Sequence, residues 1–132
     1  MTLVDTNVII DLTSKEAEWS EWSVDRLTDA RLRGDAFIND VIFAELASRY
    51  AEESELRKHV ARFGLKVRRI PSRALFRAGH AYAQYRRAGG ERLNVLADFF
   101  IGAHAAELEV PLLTRDAKIY RTYFPDLELI TP

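Results

Sequence analysis

Four acidic residues, widely separated in the sequence, could bring their carboxylates into one site. Asp5 and Asp116 each follow a short apolar run, whereas Glu45 and Asp98 lie in stretches with helical spacing of apolar residues. Taken singly, each has a structural explanation, since Asp5 and Asp116 could cap helices and Asp98 could favour the positive end of one. Glu45 needs a partner, because a carboxylate is costly on an apolar helix face. Taken together, the four acids favour a metal site.

The chemistry of clustered carboxylates is restrictive, because they repel one another and raise one another's pKa values until a divalent cation relieves the repulsion. Hard carboxylate oxygens suit Mg²⁺ or Mn²⁺. Zinc fits less well, since cysteine is absent and His59, His80 and His104 show no ligand spacing; we expect His104 to be a packed or supporting residue. The chain has no GxSxG, P-loop or GxGxxG motif, so metal-assisted phosphodiester cleavage is the indicated reaction.

The charges are distributed unevenly along the chain, although the net charge is only -1. Residues 1–56 hold 13 acids and 5 Lys or Arg, residues 57–92 hold one acid and 11 Lys or Arg, and residues 93–132 hold 6 acids and 3 Lys or Arg. The basic middle third indicates either a surface for a polyanion or a set of solvated helix faces. The segment 86–92, with Gly89 and Gly90, is predicted to be a mobile basic loop.

Short apolar runs alternate with helical patterns along the whole chain. Strands are predicted at 2–5, 36–39, 65–70, 110–114 and 127–130, and helices at 7–12, 16–33, 41–51, 56–63, from 72 onward, 97–108 and 116–121. This alternation predicts a single α/β domain over 1–132, with three layers and a mainly parallel sheet of four to five strands. If the first and fourth strands are neighbours, all four acids point toward the carboxyl edge of the sheet, where such sheets bind ligands.

Several local expectations accompany this assignment. Asp40 is expected to cap the third helix, and Asp11 to lie at the surface or at a helix end. Leu75, Gly79 and Tyr82 are expected to form the buried stripe of the helix that begins at Ser72, with Ala74, Ala78 and Tyr85 beside them. Trp19 and Trp22 indicate a packing seam or, alternatively, a partner-binding surface.

The absence of cysteine suits a reducing cytoplasm, and the chain has neither a signal peptide nor an apolar run of the ~20 residues that a membrane span needs. A cytoplasmic location is therefore expected.

With the acids placed, the sequence resembles a PIN-domain ribonuclease, and most closely the VapC-type toxins of toxin–antitoxin pairs. The matching segments are LVDTNVIIDL at 3–12, VIFAEL at 41–46, ADFFIGAHA at 97–105 and LLTRDAKIYRTYF at 112–124. One departure is Ala97, where relatives often carry proline before the third acid.

The resemblance implies that Asp5, Glu45, Asp98 and Asp116 form the family's acidic metal site, and that Asn7 and Thr114 support it. It also implies Mg²⁺- or Mn²⁺-dependent RNA cleavage, a homodimer, a cognate VapB-like antitoxin, and operator DNA bound through the complex. Arg86, Arg87 and Arg92 are the candidate RNA contacts. Two alternatives stay open at this point: a housekeeping PIN nuclease in RNA processing or repair, and a non-catalytic α/β module whose acids are helix caps.

Overall fold

A sheet of parallel strands forms the centre of the computed structural model, which describes residues 1–14 and 18–132. Its strands are β1 Thr2–Val4, β2 Ala36–Asn39, β3 Leu65–Arg68, β4 Leu112–Leu113 and β5 Leu129–Ile130. Their spatial order is β3-β2-β1-β4-β5, and every neighbouring pair is parallel. Helices cover both faces, so the predicted α/β/α class with a mainly parallel sheet is confirmed.

Strand β1 lies in the middle of the sheet, with β2 paired on one side and β4 on the other. The chain builds the sheet outward from β1 first in one direction and then in the other, so β1 and β4 form a topological switch point. Crevices outside the carboxyl ends of the strands form at such a switch point. Here the backbone N–H of Asp5 donates to the carbonyl of Leu113 at 2.9 Å, so the ends of β1 and β4 are held together. The first and fourth strands are therefore neighbours, which is the condition under which the sequence placed all four acids at one edge of the sheet.

The helices are α1 Thr6–Thr13, α2 Ser20–Arg33, α3 Asp40–Ala47, α4 Glu53–Arg62, α5 Ser72–Arg87, α6 Leu96–Leu108 and α7 Lys118–Tyr123, with a 3₁₀ turn at Leu93–Val95. Helix α6 is buried on nearly all sides, since Phe99 and the run from Ile101 to Ala106 have almost no exposed surface. It packs against α3, α5 and α7, and it is therefore the central helix of one layer. Within the described ranges, no helix has the length and apolarity to cross a membrane.

Some predicted boundaries were wrong. The strand predicted at 2–5 ends at Val4, because Asp5 already caps α1. The residue capping α3 is Asn39, whose side chain accepts from the N–H of Ile42 at 2.9 Å, and Asp40 instead accepts from the N–H of Ile70. The predicted helix 16–33 begins at Ser20 in the structure; its first two residues, and Lys15 before them, lie outside the described residues.

Helix α5 presents a different face to the core from the one predicted. Ala74, Ala78 and Tyr85 are buried, whereas Leu75 is 43% exposed and Gly79 lies at the surface. The small alanine side chains leave room for α6 to pack close by, which a leucine stripe would not. Arg86 and Arg87 also belong to this helix and not to the predicted loop, so the irregular part of the basic segment 86–92 is limited to 88–92.

Candidate active site

Asp5 occupies the junction between β1 and α1, where it is only 5% exposed. Its Oδ1 accepts from the backbone N–H of Thr6 at 2.7 Å, which is the N-cap interaction expected from the sequence. Its Oδ2 accepts from the Thr114 hydroxyl at 2.8 Å and from the Tyr120 hydroxyl at 2.9 Å. Burial raises the pKa of Asp5, and the charge of Glu45 adds to the rise, while the hydroxyl and backbone donors oppose it.

Thr114 and Asn7, the predicted support residues, connect α1 to the loop that follows β4. The Asn7 amide donates to the Thr114 hydroxyl at 3.2 Å, and its carbonyl oxygen accepts from the N–H of Arg115 at 3.1 Å. The Thr114 oxygen also accepts from the N–H of Asp116 at 3.1 Å. Since the same hydroxyl donates to Asp5, this network fixes the backbone of Asp116 beside Asp5.

Glu45 enters the site from α3. Its Oε1 accepts from the Thr6 hydroxyl at 2.6 Å, so Thr6 is the partner that the sequence left unidentified. The side chain is exposed, and its charge therefore stays hydrated as well as hydrogen-bonded. The burial cost that made this glutamate unusual in the sequence does not arise.

Asp98 lies in the first turn of α6 and is partly buried. Burial, followed by the negative charges of Asp5, Glu45 and Asp116, raises its pKa from 3.8 to about 7, although the positive charge of Arg92 lowers it. In neutral solution Asp98 is therefore only partly ionised, and it adds only part of a negative charge to the site. The ionisation of Asp98 is thus coupled to all three of the other acids.

The four acids line a single cleft of about 220 Å³. The other lining residues are Thr6, Asn7, Ile10, Ile119 and Tyr120, so in the described part of the chain no basic side chain faces the cleft. An oxygen-rich, negatively charged cleft of this kind fits a hard divalent cation such as Mg²⁺ or Mn²⁺. In residues 1–14 and 18–132, no three acidic or imidazole side chains stand close enough to hold an ion, and Asp5 and Glu45 pair with hydroxyls instead.

The sequence analysis missed the role of Tyr120, which is 1% exposed and reaches the cleft from α7. Burial, followed by the charges of Asp5 and Asp98, raises its pKa well above 10, so its hydroxyl stays protonated and donates to Asp5. Its position, one helical turn after Asp116, was the only sequence signal for this contact.

Asp11 is also placed differently from the prediction, because it is 3% exposed. Its carboxylate accepts from Nε of Arg115 at 2.6 Å and from NH2 of the same guanidinium at 3.1 Å, and the Ser23 hydroxyl donates to it at 2.7 Å. The expectation of a surface residue was wrong because the partner, Arg115, lies 104 positions away in the sequence. This ion pair ties α1 to the loop that carries Asp116.

The remaining candidates separate into near and distant residues. His104 is buried and hydrogen-bonded to Asn39 at 3.1 Å, and it does not line the cleft, so the expectation of a packed residue is confirmed. Arg92 is near enough to lower the pKa of Asp98. Arg86 and Arg87 are exposed at the end of α5 and do not line the cleft.

Comparison of the fold with solved structures identifies close matches in toxin–antitoxin complexes. A chain of VapBC2 from Rickettsia felis, crystallised with a DNA fragment from its promoter, matches with a TM-score of 0.74 at 18% identity, covering 98% of this chain and 97% of that chain. FitAcB from Neisseria gonorrhoeae gives 0.69 at 20% identity, covering 98% and 96%. A toxin–antitoxin complex from Klebsiella pneumoniae gives 0.65 at 22% identity, covering 100% and 98%. At these identities the likeness establishes the fold.

Two further comparisons address the sequence itself. A search of curated protein sequences found no match. The family model for the PIN domain matches residues 2–125, which span all four acids and nearly the whole chain. The chain therefore belongs to the PIN domain family.

Proposed function

We propose that this protein is a metal-dependent endoribonuclease that hydrolyses RNA phosphodiesters and acts as the toxin of a toxin–antitoxin pair. The observation that carries the proposal is the convergence of Asp5, Glu45, Asp98 and Asp116 from four separate elements on one cleft without a basic lining. Acids that served only as helix caps would have no reason to share a cleft, so this convergence favours a nuclease over a non-catalytic module.

The four carboxylates would hold the cation, and the residues around them would control its position. A bound Mg²⁺ or Mn²⁺ supplies Lewis-acid activation of water and stabilises the charge that develops on the phosphate. Thr114 and Tyr120 each donate to Oδ2 of Asp5 and so fix the direction in which this carboxylate presents its remaining lone pairs. Asn7 orients the Thr114 hydroxyl and, through Arg115, the backbone that carries Asp116.

Membership of a toxin–antitoxin pair is supported by the solved structures of the same fold, which are complexes of this kind. Large apolar side chains are also exposed and available to a protein partner: Leu32 is 81% exposed, Leu93 is 75% exposed and Phe76 is 71% exposed. We propose a VapB-like antitoxin as that partner, a homodimer as the assembly, and operator DNA as a ligand of the toxin–antitoxin complex.

The catalytic proposal is tested by incubating the purified protein with cellular RNA and Mg²⁺ or Mn²⁺. Cleavage is expected with either ion, and it should be lost in excess EDTA and in the Asp5→Ala and Asp98→Asn variants. Circular dichroism of the variants shows whether they are folded. Cleavage that persists in EDTA, or in both folded variants, would contradict a carboxylate-held metal.

The toxin role is tested separately from the chemistry. Induced expression in a bacterial host should arrest growth, and the Asp98→Asn variant should not, because a toxin acts through its nuclease activity. An active nuclease that leaves growth unaffected would favour the housekeeping role in RNA processing or repair. Cation binding by calorimetry that is absent, or unchanged in the Asp5→Ala variant, would favour the binding module.

A further inference from the structure

A second cavity, of about 610 Å³, lies across α7 from the acidic cleft, and its charged side chains are cationic. The residues that line it are Trp19, Arg115, Ala117, Lys118, Arg121, Thr122, Thr131 and Pro132. Three of these side chains are cationic and none is acidic. Because Arg115 is paired with Asp11, the unpaired positive charge of the lining side chains comes, within the described residues, from Lys118 and Arg121. We call this cavity the basic groove.

Helix α7 separates the two cavities. Ile119 and Tyr120 line the acidic cleft, whereas Lys118 and Arg121 line the basic groove. The preceding loop is divided in the same way, because Asp116 faces the cleft and its neighbour Arg115 faces the groove. A ligand that lies across α7 can therefore contact the acids on one side of the helix and the cations on the other.

The cations of the groove differ in how firmly they are held. Arg115 is fixed by its ion pair with Asp11, and its guanidinium lies 5.9 Å from the centre of the Trp19 ring. Lys118 and Arg121 are exposed, and within the described ranges neither forms an ion pair with a carboxylate. Two exposed cations and a partly buried indole in one groove are suited to a phosphate backbone and a base together.

We infer that the basic groove binds the nucleotides of single-stranded RNA next to the phosphodiester that the acidic cleft cleaves. The inference rests on the proposed nuclease function and adds a place for the substrate. Lys118 and Arg121 contact backbone phosphates, and the Trp19 indole contacts a base. An acidic protein segment would use the cations as well, but the groove lies across α7 from the acids, and a strand that is cleaved there must continue past them.

The first test measures RNA binding in the Asp98→Asn background, so that the ligand stays intact. A fluorescein-labelled, mixed-sequence single-stranded RNA is titrated at several salt concentrations. Substituting Lys118→Gln together with Arg121→Gln should raise Kd by about tenfold or more and reduce the slope of log K against log salt by about 1.4. The matched control substitutes Lys58→Gln and Arg62→Gln, two exposed cations on α4 outside both cavities, and should leave Kd and slope unchanged.

The second test uses the fact that the chain has two tryptophans. The Trp22→Phe variant leaves Trp19 as the only indole, and RNA should quench its fluorescence with the Kd found by anisotropy. RNA that binds this variant without any change in Trp19 emission would overturn the inference.

The outcomes distinguish the groove from the nuclease function on which it rests. If the protein cleaves no RNA with Mn²⁺, the nuclease proposal fails. If it cleaves RNA, but the Lys118→Gln, Arg121→Gln variant binds like the Lys58→Gln, Arg62→Gln control, the groove proposal alone fails. If the groove variant keeps its RNA affinity and loses affinity for polyglutamate, the groove is a site for an acidic protein segment, which also overturns the inference.

Discussion

At the scale of single residues, burial and the neighbouring carboxylates of the acidic cleft make ionisation of Asp98 unfavourable. Its pKa of about 7 in the folded protein exceeds the value of 3.8 for the free side chain, with burial as the main cause. Between these two values the folded state binds more protons than the unfolded state. The contribution of Asp98 to the free energy of unfolding is therefore greatest below pH 3.8, and it falls as the pH rises toward about 7.

The first prediction is that the stability of the metal-free protein decreases as the pH rises. In EDTA, the free energy of unfolding should fall between about pH 4 and pH 7, and the Asp98→Asn variant should show a flatter profile. At pH 8 the variant should be more stable than the wild type by roughly 1–3 kcal/mol, a value reduced for the partial solvation of the side chain. Urea denaturation at pH 5 and pH 8 measures this. Parallel profiles for the two proteins would show that Asp98 is not strained by its neighbours.

At the scale of elements, the Asp11–Arg115 pair joins α1 to the loop between β4 and α7. Arg115 precedes Asp116, and its backbone N–H donates to Asn7, so the pair helps to hold the loop against the helix. Breaking a buried ion pair leaves one charge without its partner, which costs more than the pair itself contributes.

The second prediction is that Asp11→Ala lowers the free energy of unfolding by about 2–4 kcal/mol, somewhat less than for a fully buried pair because Arg115 is partly exposed. Asp11→Asn should cost less, since an amide oxygen still accepts from Ser23 and Arg115. Guanidinium denaturation compares the three proteins. A loss of less than 0.5 kcal/mol in the alanine variant, about the level of an ordinary surface substitution, would contradict this assignment.

Two helical glycines offer a matched test, because Gly102 on α6 faces α7 closely and Gly79 on α5 faces open space. A Cβ added to Gly102 on α6 would lie 2.6 Å from the ring of Phe124, whereas a Cβ added to Gly79 on α5 would meet nothing within 4 Å.

The third prediction is therefore that the same substitution has opposite effects on the two helices. Gly102→Ala should destabilise the protein by about 1–3 kcal/mol through overpacking, and Gly79→Ala should stabilise it by about 0.5–1 kcal/mol through helix propensity. Thermal unfolding of both variants measures the difference. A Gly79→Ala protein that is less stable than the wild type would contradict this prediction. It would indicate that Gly79 is buried, as the sequence led us to expect.

The helix faces show where the sequence was informative. The short apolar runs of β1, β2 and β4 allow one interpretation, so their positions and the edge that carries the acids could be predicted. Helix α5 was ambiguous, because alanine and leucine stripes one residue apart both follow helical spacing, and only the close approach of α6 selects the alanines. The Asp11–Arg115 pair could not be predicted, since a contact across 104 positions leaves no local pattern.

At the scale of the whole molecule, the basic middle third does not act as one surface. Arg68 and Arg77, for example, lie near acids of other segments: Arg68 NH2 is 3.7 Å from Asp35, and Arg77 donates to Asp126 at 3.2 Å. Part of the charge asymmetry in the sequence is thus balanced by ion pairs in the fold. Under the proposed function, the cations that bind RNA are those beside the acidic cleft. Arg92 is one that the sequence already indicated, whereas Lys118 and Arg121 were not predicted.

The last prediction concerns which arginines of the segment 86–92 contact RNA. Arg92 lies within electrostatic reach of Asp98, on the α6 side of the cleft, whereas Arg86 and Arg87 extend α5. In the Asp98→Asn background, Arg92→Gln should therefore weaken RNA binding and lower the salt slope by about 0.7, the value for one phosphate contact with a single strand. The Arg86→Gln, Arg87→Gln variant should change the slope less, although it removes more charge. A larger effect of that pair would mean that RNA follows the end of α5 and enters the cleft from the opposite direction.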